Sequence, residues 1–319
     1  MVKKPAKEPA DNKDQNKTAP KEPEMLKPDA AHAESATEDF FTRLINQFSV
    51  AWMFLTRIPL PSWWNKSKVI EATGVVEDDT SPDNDTDKGK GMIPLSNTVR
   101  AWPVVGLAVG ALAGGALWSA ANLGLHPLAA SFVAMIVAAL VTGAIHEDGL
   151  ADVADGFGGG DTRAKKLRIM RDSQIGTFGV LSLLLMIGFK AGAMAGFNAP
   201  GFAAAAVLSA HVLSRSFLPM LMIALPPARR NGLGQGAGIP KTENAVMAAA
   251  IGVLIAILTL GIGPGLVASG LAGLGVASVG AIAQRQIQGF TGDVLGAAQQ
   301  VSEALVLAGI AVALRTVFY

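Results

Sequence analysis

Three aspartates at helical spacing are the residues of this sequence best suited to chemistry. Asp148, Asp152 and Asp155 stand at positions i, i+4 and i+7, which places all three carboxylates on one face of a helix. Carboxylates held that close repel one another unless a cation lies among them, and Mg²⁺ prefers carboxylate and phosphate oxygen. The spacing therefore predicts a magnesium site formed by these three residues. Glu147 lies about 100° away from that face, which excludes it from the predicted ligands.

Basic residues follow the acidic segment and predict phosphate binding beside the metal. Five of them lie close together: Arg163, Lys165, Lys166, Arg168 and Arg171. Acidic side chains that hold Mg²⁺ next to basic side chains that hold phosphate are typical of enzymes of phosphoryl or phosphodiester transfer. We predict phosphate contacts from Arg168 and Arg171, with ion pairing to Asp172 as the alternative for part of this charge. Asp172 and Ser173 precede the next apolar run, where a helix start offers free N–H groups to an anion, and they are further predicted substrate contacts.

Polar side chains in or near the other apolar runs are further candidates for the site. His146 opens the acidic segment and is, with the aspartates, a predicted catalytic residue. Arg215 lies about ten residues from the end of its apolar run, and that depth predicts a pocket-facing side chain that binds substrate. His211 shares its helical face, and for this residue we expect plain helix packing. Asp293 and Glu303 lie around the start of the last apolar run and complete the predicted substrate-binding set.

The composition indicates a membrane protein with a polar N-terminal region. Of 319 residues, 50% are hydrophobic and only 16% are charged, against roughly 25% charged residues in a soluble domain. The net charge of +1 gives no indication of nucleic-acid binding, and the lack of cysteine in the sequence excludes disulfides and thiolate metal sites. Residues 1–39 are charged and contain several prolines, and we expect them to be disordered. We interpret residues 71–90, which carry an excess of acidic residues, as a solvated polar insert.

The apolar runs predict an all-α fold, a polytopic membrane helical bundle in an integral membrane catalytic domain at 40–319. A span needs roughly 20 apolar residues, and seven stretches are candidates: 102–121, 127–145, 176–197, 202–225, 244–261, 264–283 and 302–318. Gly and Ala are abundant in all of them, which suits close helix packing. Before them, residues 40–58 form an amphipathic N-terminal helix that we expect to lie in the membrane plane or to be partly inserted. An eighth span is the alternative for this segment.

The charges of the connecting loops predict the orientation in the membrane. The connections at 146–175 and 226–243 carry five and three basic residues, whereas those at 122–126 and 198–201 carry none. Basic loops stay on the cytoplasmic side of a membrane. The loops with the candidate chemistry are therefore predicted to face the cytoplasm. One of them contains a Gly-rich basic stretch at 229–238, for which a flexible connection is the alternative to a role in the site.

Two long motifs and several short ones carry a family resemblance. They are HEDGLADVADG at 146–156 and IMRDSQIGTFGV at 169–180, with FLTRIPLP at 54–61 and TGDVLGA at 291–297. This combination resembles the cobalamin synthase family, the adenosylcobinamide-GDP ribazoletransferases, over about residues 45–319. The resemblance carries the family's two motifs over onto these residues: His146, Asp148, Asp152 and Asp155 in the first, and Arg171, Asp172 and Ser173 in the second.

The resemblance implies a late step in the nucleotide-loop assembly of coenzyme B12. Such an enzyme joins adenosylcobinamide-GDP to α-ribazole or α-ribazole 5′-phosphate and releases GMP. It uses Mg²⁺ and works in the bacterial or archaeal inner membrane, in contact with the lipid bilayer. The hypothesised nucleophile is the ribazole 5′-hydroxyl, which attacks the phosphorus attached to cobinamide. Homo-oligomers and association with other enzymes of the assembly are left open by the sequence.

Two other functions are alternatives on the sequence alone. A CDP-alcohol phosphotransferase also has aspartates in a DGxxA context, but it would need Arg where Asp152 stands. A small-molecule transporter would use charges within the spans and predicts broken helices at mid-membrane, whereas the polar residues here concentrate in loops. Release of GMP is the observation that separates the transferase from the transporter.

Overall fold

The computed structural model describes residues 30–60, 94–197, 199–229 and 237–317, and within these ranges the chain folds into helices. Ten α-helices follow in order: α1 (Ala30–Leu55), α2 (Trp102–Asn122), α3 (Pro127–Thr142), α4 (Ile145–Gly159), α5 (Arg163–Ile169), α6 (Thr177–Ala195), α7 (Pro200–Ala224), α8 (Thr242–Leu260), α9 (Ile262–Ile287) and α10 (Gly292–Val317). A 3₁₀ helix, Leu95–Ala101, leads into α2. The predicted all-α fold is confirmed.

The N-terminal region is described in part. Residues 1–29 of the predicted tail and the predicted insert at 71–90 lie outside the described residues. Helix α1 runs from Ala30 through most of the predicted amphipathic segment, and the Trp52 indole donates a hydrogen bond to the Ile58 carbonyl just beyond its end, at 2.9 Å. The chain divides into two compact units between Thr42 and Arg43. All predicted site residues belong to the second unit.

Six helices of the described ranges are long and apolar enough to cross a membrane. They are α2 with its leading 3₁₀ helix, then α6, α7, α8, α9 and α10. Helix α3 has only 16 residues, and a bend of 92° at Gly143 and Ala144 separates it from α4. Helix α4 carries four acidic residues and is not a span by itself. If the bent pair provides one crossing, the spans number seven, as the sequence predicts.

Small residues bring the spans close together. Gly106, Gly110 and Gly114 face α7 from α2, and a Cβ atom at Gly106 would lie 2.6 Å from the carbonyl oxygen of His211. Such stripes of small residues let helix backbones approach inside a bilayer. Helices α7 and α10 are the most buried spans, and α10 packs against α4, α6, α7 and α9. Helix α10 is therefore in a position to connect the acidic helix with the bundle interior.

The last span begins earlier than the sequence predicts. The predicted start at residue 302 is wrong, because α10 begins at Gly292 and its membrane-compatible part runs to Ala313. Polar residues in its first half caused the error, since hydropathy alone places them in a loop. In the structure Gln299 and Glu303 are buried and bonded to side chains of the neighbouring helices. Such pairing is what makes polar side chains tolerable in a span.

Candidate active site

The acidic helix α4 lies against the start of α10. Gly149 stands between Asp148 and Asp152 and permits the close approach: a Cβ atom there would lie 2.8 Å from the carbonyl oxygen of Asp293 and 3.0 Å from its Cα. Asp293 belongs to the first turn of α10 and interacts electrostatically with Asp152. A carboxylate from a second helix thus joins the two aspartates of α4.

The protonation of Asp152 reflects this crowding. Burial, and after it the charges of Asp148 and Asp293, raise the pKa of Asp152 from 3.8 to about 7. Arg229 is a nearby cation that acts in the opposite direction. Three carboxylates with one cation beside them form a set of hard oxygen donors with excess negative charge. Excess negative charge of this kind attracts cations.

Asp155 has a role that its spacing does not reveal. Its carboxylate oxygens accept hydrogen bonds from the backbone N–H groups of Gly176 and Gly179, at 2.7 and 2.8 Å. Asp155 thereby ties α4 to the start of α6, whose first N–H groups have no partner within the helix. In the described part of the chain, no group of three or more His, Cys, Asp or Glu side chains is arranged to hold a metal ion. The magnesium site at Asp148, Asp152 and Asp155 stays a prediction.

A cation from another loop lies next to Asp293. The Nη2 atom of Arg229 is 3.8 Å from the Asp293 carboxylate and donates a hydrogen bond to the Leu167 carbonyl at 2.9 Å. The sequence placed Arg229 in a Gly-rich basic stretch without assigning it to the site. Its charge was the available signal, since its place beside Asp293 arises from contacts between distant segments.

The predicted phosphate contacts lie on α5 and in the turn after it. Four predicted substrate-binding residues are exposed there: Arg168, Arg171, Asp172 and Ser173. The Asp172 carboxylate accepts a hydrogen bond from the Gln174 backbone N–H at 3.1 Å, which shapes the turn before α6. Arg163, by contrast, donates to the carbonyls of Ile287 and Ala228, at 2.7 and 2.6 Å. Arg163 is an anchor between segments, while substrate binding by the exposed group stays a prediction.

A second polar cluster is buried inside the bundle. Glu303 of α10 pairs with Lys190 of α6 and His211 of α7, each at 3.0 Å. Arg215 donates to the His211 carbonyl at 3.2 Å and is 1% exposed. The expectation of plain packing for His211 is wrong, because its ring contacts a carboxylate and a guanidinium.

This buried cluster leaves little room for a substrate. Lys190, His211 and Glu303 border a cavity of about 20 Å³, which is space for about one water-sized group. Arg215 and Glu303 were predicted to bind substrate, and the structure shows each bonded within the bundle interior. Glu303 joins α10 to α6 and α7, whereas Arg215 bonds to His211 within α7, and substrate binding by either residue stays a prediction.

His146 and Glu147 are oriented towards the buried cluster. His146 is 4% exposed and interacts electrostatically with Arg215 and Glu303. The Glu147 carboxylate accepts a hydrogen bond from the Gln300 side chain at 3.0 Å, in keeping with its predicted angle away from the aspartates. A general base must reach the proton that it removes. The catalytic role of His146 stays a prediction, and the more accessible candidates for the base are Asp148 and Asp152 on the same helix.

Known proteins are similar to this chain over most of its length. Residues 47–311 match a protein family described as Cobalamin-5-phosphate synthase. A protein of Bradyrhizobium diazoefficiens is 46% identical over 67% of this chain and 82% of its own length. Proteins of Azorhizobium caulinodans and Mesorhizobium japonicum are 39% and 38% identical, each over 86% of this chain and over 98% and 96% of their own lengths. All three carry the name adenosylcobinamide-GDP ribazoletransferase. No solved structure matches the chain.

Proposed function

Since this chain belongs to the cobalamin-5-phosphate synthase family, we propose that it is an adenosylcobinamide-GDP ribazoletransferase that works in the bacterial inner membrane. It joins adenosylcobinamide-GDP to α-ribazole or α-ribazole 5′-phosphate and releases GMP. The observation that carries the proposal is the meeting of Asp148, Asp152 and Asp293 next to Arg229. Clustered carboxylates beside a guanidinium suit the transfer of a phosphate-linked group.

The reaction exchanges one phosphorus–oxygen bond for another. A ribazole hydroxyl oxygen forms a bond to the phosphorus attached to cobinamide, and the bond from that phosphorus to the GMP oxygen breaks. The family description names a 5-phosphate product, and an acceptor whose 5′-oxygen carries phosphate cannot attack through it. We therefore replace the hypothesised 5′-hydroxyl by another ribose hydroxyl as the nucleophile.

Asp148 and Asp152 are the residues that would hold Mg²⁺, with Asp293 as the third nearby carboxylate. Magnesium is usually bound by one or two protein carboxylates together with substrate phosphates, which suits this set. The bound ion would neutralise negative charge on the diphosphate. Asp155 contributes by fixing α4 to α6 through its two backbone hydrogen bonds.

The proton of the attacking hydroxyl goes to a carboxylate of α4. Asp148 is exposed and Asp152 is half-buried, so both are more accessible than His146. A base must lie within reach of the proton that it removes. Because both carboxylates are also the residues that would hold Mg²⁺, the one that does not hold the ion takes the proton. His146 supports α4 from its buried side.

Substitution of Asp152 tests the proposal. Asp152→Asn keeps the size of the side chain and removes its charge, and we expect ribazole transfer to fall about 100-fold or more. The assay measures GMP and corrinoid product in purified membranes supplied with adenosylcobinamide-GDP, with and without α-ribazole. Asp161→Asn is the matched control, because Asp161 is an exposed carboxylate beyond α4 that pairs with Lys165 at 3.5 Å. Ribazole transfer by Asp152→Asn at the parental rate, with unchanged Mg²⁺ dependence, would contradict the proposal.

A further inference from the structure

We infer that Arg229 is the guanidinium that binds the substrate diphosphate and the departing GMP phosphate. This inference rests on the proposed function and assigns a substrate contact that the sequence pattern did not single out. Three observations support it: the position of the Arg229 backbone, a hydrogen-bond donor of Arg229 without a partner among the described residues, and the bonds or exposure of neighbouring basic residues.

The backbone of Arg229 is fixed next to the start of α10. The N–H of Ala228 donates to the Phe290 carbonyl at 2.8 Å, and the N–H of Phe290 donates to the Pro226 carbonyl at 2.9 Å. These two bonds form a short parallel bridge between the end of α7 and the residues before Asp293. Gly289 permits the approach, since a Cβ atom there would overlap the Pro226 carbonyl oxygen. Main-chain hydrogen bonds thus fix the backbones near Arg229 and Asp293 relative to each other.

The side chain of Arg229 is held at one end and has a donor to spare. Its Nη2 atom donates to the Leu167 carbonyl at 2.9 Å, whereas its distance of 3.8 Å to the Asp293 carboxylate is too long for a hydrogen bond. Its Nε–H is buried and has no hydrogen-bond partner among the described residues. A buried N–H without a partner is costly. A guanidinium can bind phosphate through two donors at once, and a phosphate that displaces the groups covering the Nε–H would satisfy this donor.

Charge at the site also favours an anion bridged to a metal. Burial lowers the pKa of Arg229. The positive charge of Arg171 lowers this pKa further, while the negative charge of Asp293 opposes the shift. An arginine nevertheless remains charged throughout the working range. Arg229 therefore offers a positive charge directly beside the carboxylates that would hold Mg²⁺. A diphosphate needs both neighbours, because charge builds up on the leaving phosphate as its bond breaks.

Three other basic residues near the site are less suited to this role. The Nε and Nη2 groups of Arg163 already donate hydrogen bonds to the carbonyls of Ile287 and Ala228. Lys166 donates to the Gln286 side chain. Arg168 is exposed on α5, where water competes for its charge. Arg229, with an exposed side-chain fraction of 17%, combines partial burial, a free donor and direct proximity to Asp293.

The test compares Arg229→Gln, Arg229→Lys and the control Arg285→Gln, since Arg285 is an exposed arginine in the last turn of α9. We expect Arg229→Gln to raise KM for adenosylcobinamide-GDP by roughly 10-fold or more and to weaken inhibition by added GMP to a similar extent. KM for α-ribazole should stay unchanged. The control should match the parent protein in all three constants.

Each result decides the inference separately from the proposed function. Unchanged KM for the donor and unchanged GMP inhibition in Arg229→Gln would overturn the inference, while transfer by the parent protein would leave the function standing. If the parent protein makes no product, the function itself fails. If Arg229→Gln does not accumulate, Arg229→Lys decides, because lysine keeps the charge but cannot donate two fixed hydrogen bonds. We expect a higher donor KM and weaker GMP inhibition from it, and parental constants would overturn the inference.

Discussion

At the scale of single residues, the proposed magnesium site would make metal binding depend on pH through Asp152. Burial and the neighbouring carboxylates raise its pKa to about 7, so at that pH about half of the molecules carry a proton there. A carboxylate must be deprotonated to bind a metal, and therefore a proton and Mg²⁺ would compete for this residue. Below pH 7 the proton would weaken Mg²⁺ binding, and well above pH 7 it would no longer compete.

We expect the affinity for Mg²⁺ to weaken as the pH falls through 7. One displaced proton gives a limiting change of about tenfold in the dissociation constant per pH unit below the pKa. Calorimetric titration of the purified protein with Mg²⁺ at several pH values on either side of 7 measures this directly. Asp152→Asn has no proton to lose and should show a flat profile over the same range. Equal affinity of the parent protein on both sides of pH 7 would contradict the expectation.

The same residues show which parts of the site could be predicted from the sequence. Helical spacing is a local property, so the shared position of Asp148 and Asp152 on α4 could be predicted. The arrival of Asp293 beside them depends on a glycine contact between two helices distant in sequence. The place of Arg229 depends likewise on main-chain bonds between separate loops. A local sequence pattern encodes neither the position of Asp293 nor that of Arg229. Helical spacing also cannot predict that the Asp155 carboxylate accepts hydrogen bonds from backbone N–H groups.

At the scale of helices, the contact of α4 with α10 determines the geometry of the carboxylates. Gly149→Ala would place a Cβ atom 2.8 Å from the Asp293 carbonyl oxygen. Backbone atoms cannot rotate aside, so the two helices must move apart and separate Asp293 from Asp152. A displacement of about 1 Å at a catalytic site can lower the rate 100-fold, and we expect a loss of that order in ribazole transfer, with the thermal unfolding temperature falling much less.

Gly192→Ala is the matched control for this substitution. Gly192 also lies inside a helix, α6, but a Cβ atom there would meet nothing within 4 Å. Because alanine favours the helix over glycine, we expect transfer and the unfolding temperature of Gly192→Ala to equal or exceed the parental values. Parental activity in Gly149→Ala would show that the approach of α4 to α10 has no role in the reaction.

Helix boundaries were predicted where hydropathy alone determines them. The bend after α3 was missed because the apolar run continues past Thr142, while Gly143 and Ala144 both turn with positive φ. The start of α10 was missed for the opposite reason, since Glu303 pairs with Lys190 inside the bundle. Composition cannot distinguish a paired buried charge from a solvated one. The error at α10 therefore lies where tertiary contacts override the local signal.

At the scale of the whole molecule, contacts among helix ends group several of these ends on one side of the bundle. The N–H of Ser96, before α2, donates to the Ala237 carbonyl before α8, and the side chains of Arg100 and Asn244 join the same two helices, both at 2.7 Å. Arg163 joins α5 to the end of α9. The start of α8 follows α7, whose end is bridged to the residues before α10. These helix ends share one side, so a chain that crosses in α2 must return in α3 to reach α4.

A return through α3 gives seven crossings and places the site opposite the connection between α2 and α3. Sixteen residues make about 24 Å of helix, somewhat short of a bilayer core of about 30 Å, a mismatch that local thinning accommodates. The cysteine-free sequence allows a direct test with two single variants. Leu123 is 81% exposed between α2 and α3, and Asp161 is exposed between α4 and α5.

In intact cells, a maleimide that does not cross membranes should label Leu123→Cys and should leave Asp161→Cys unlabelled until the inner membrane is permeabilised. This result follows if α3 crosses and the basic loops face the cytoplasm. The parent protein, without cysteine, gives the background, and retained ribazole transfer shows that each variant is folded. Labelling of both cysteines from outside would mean that α3 turns back within the membrane. The aspartates would then face away from the cytoplasm, where nucleotide substrates are made, and the proposed orientation would be wrong.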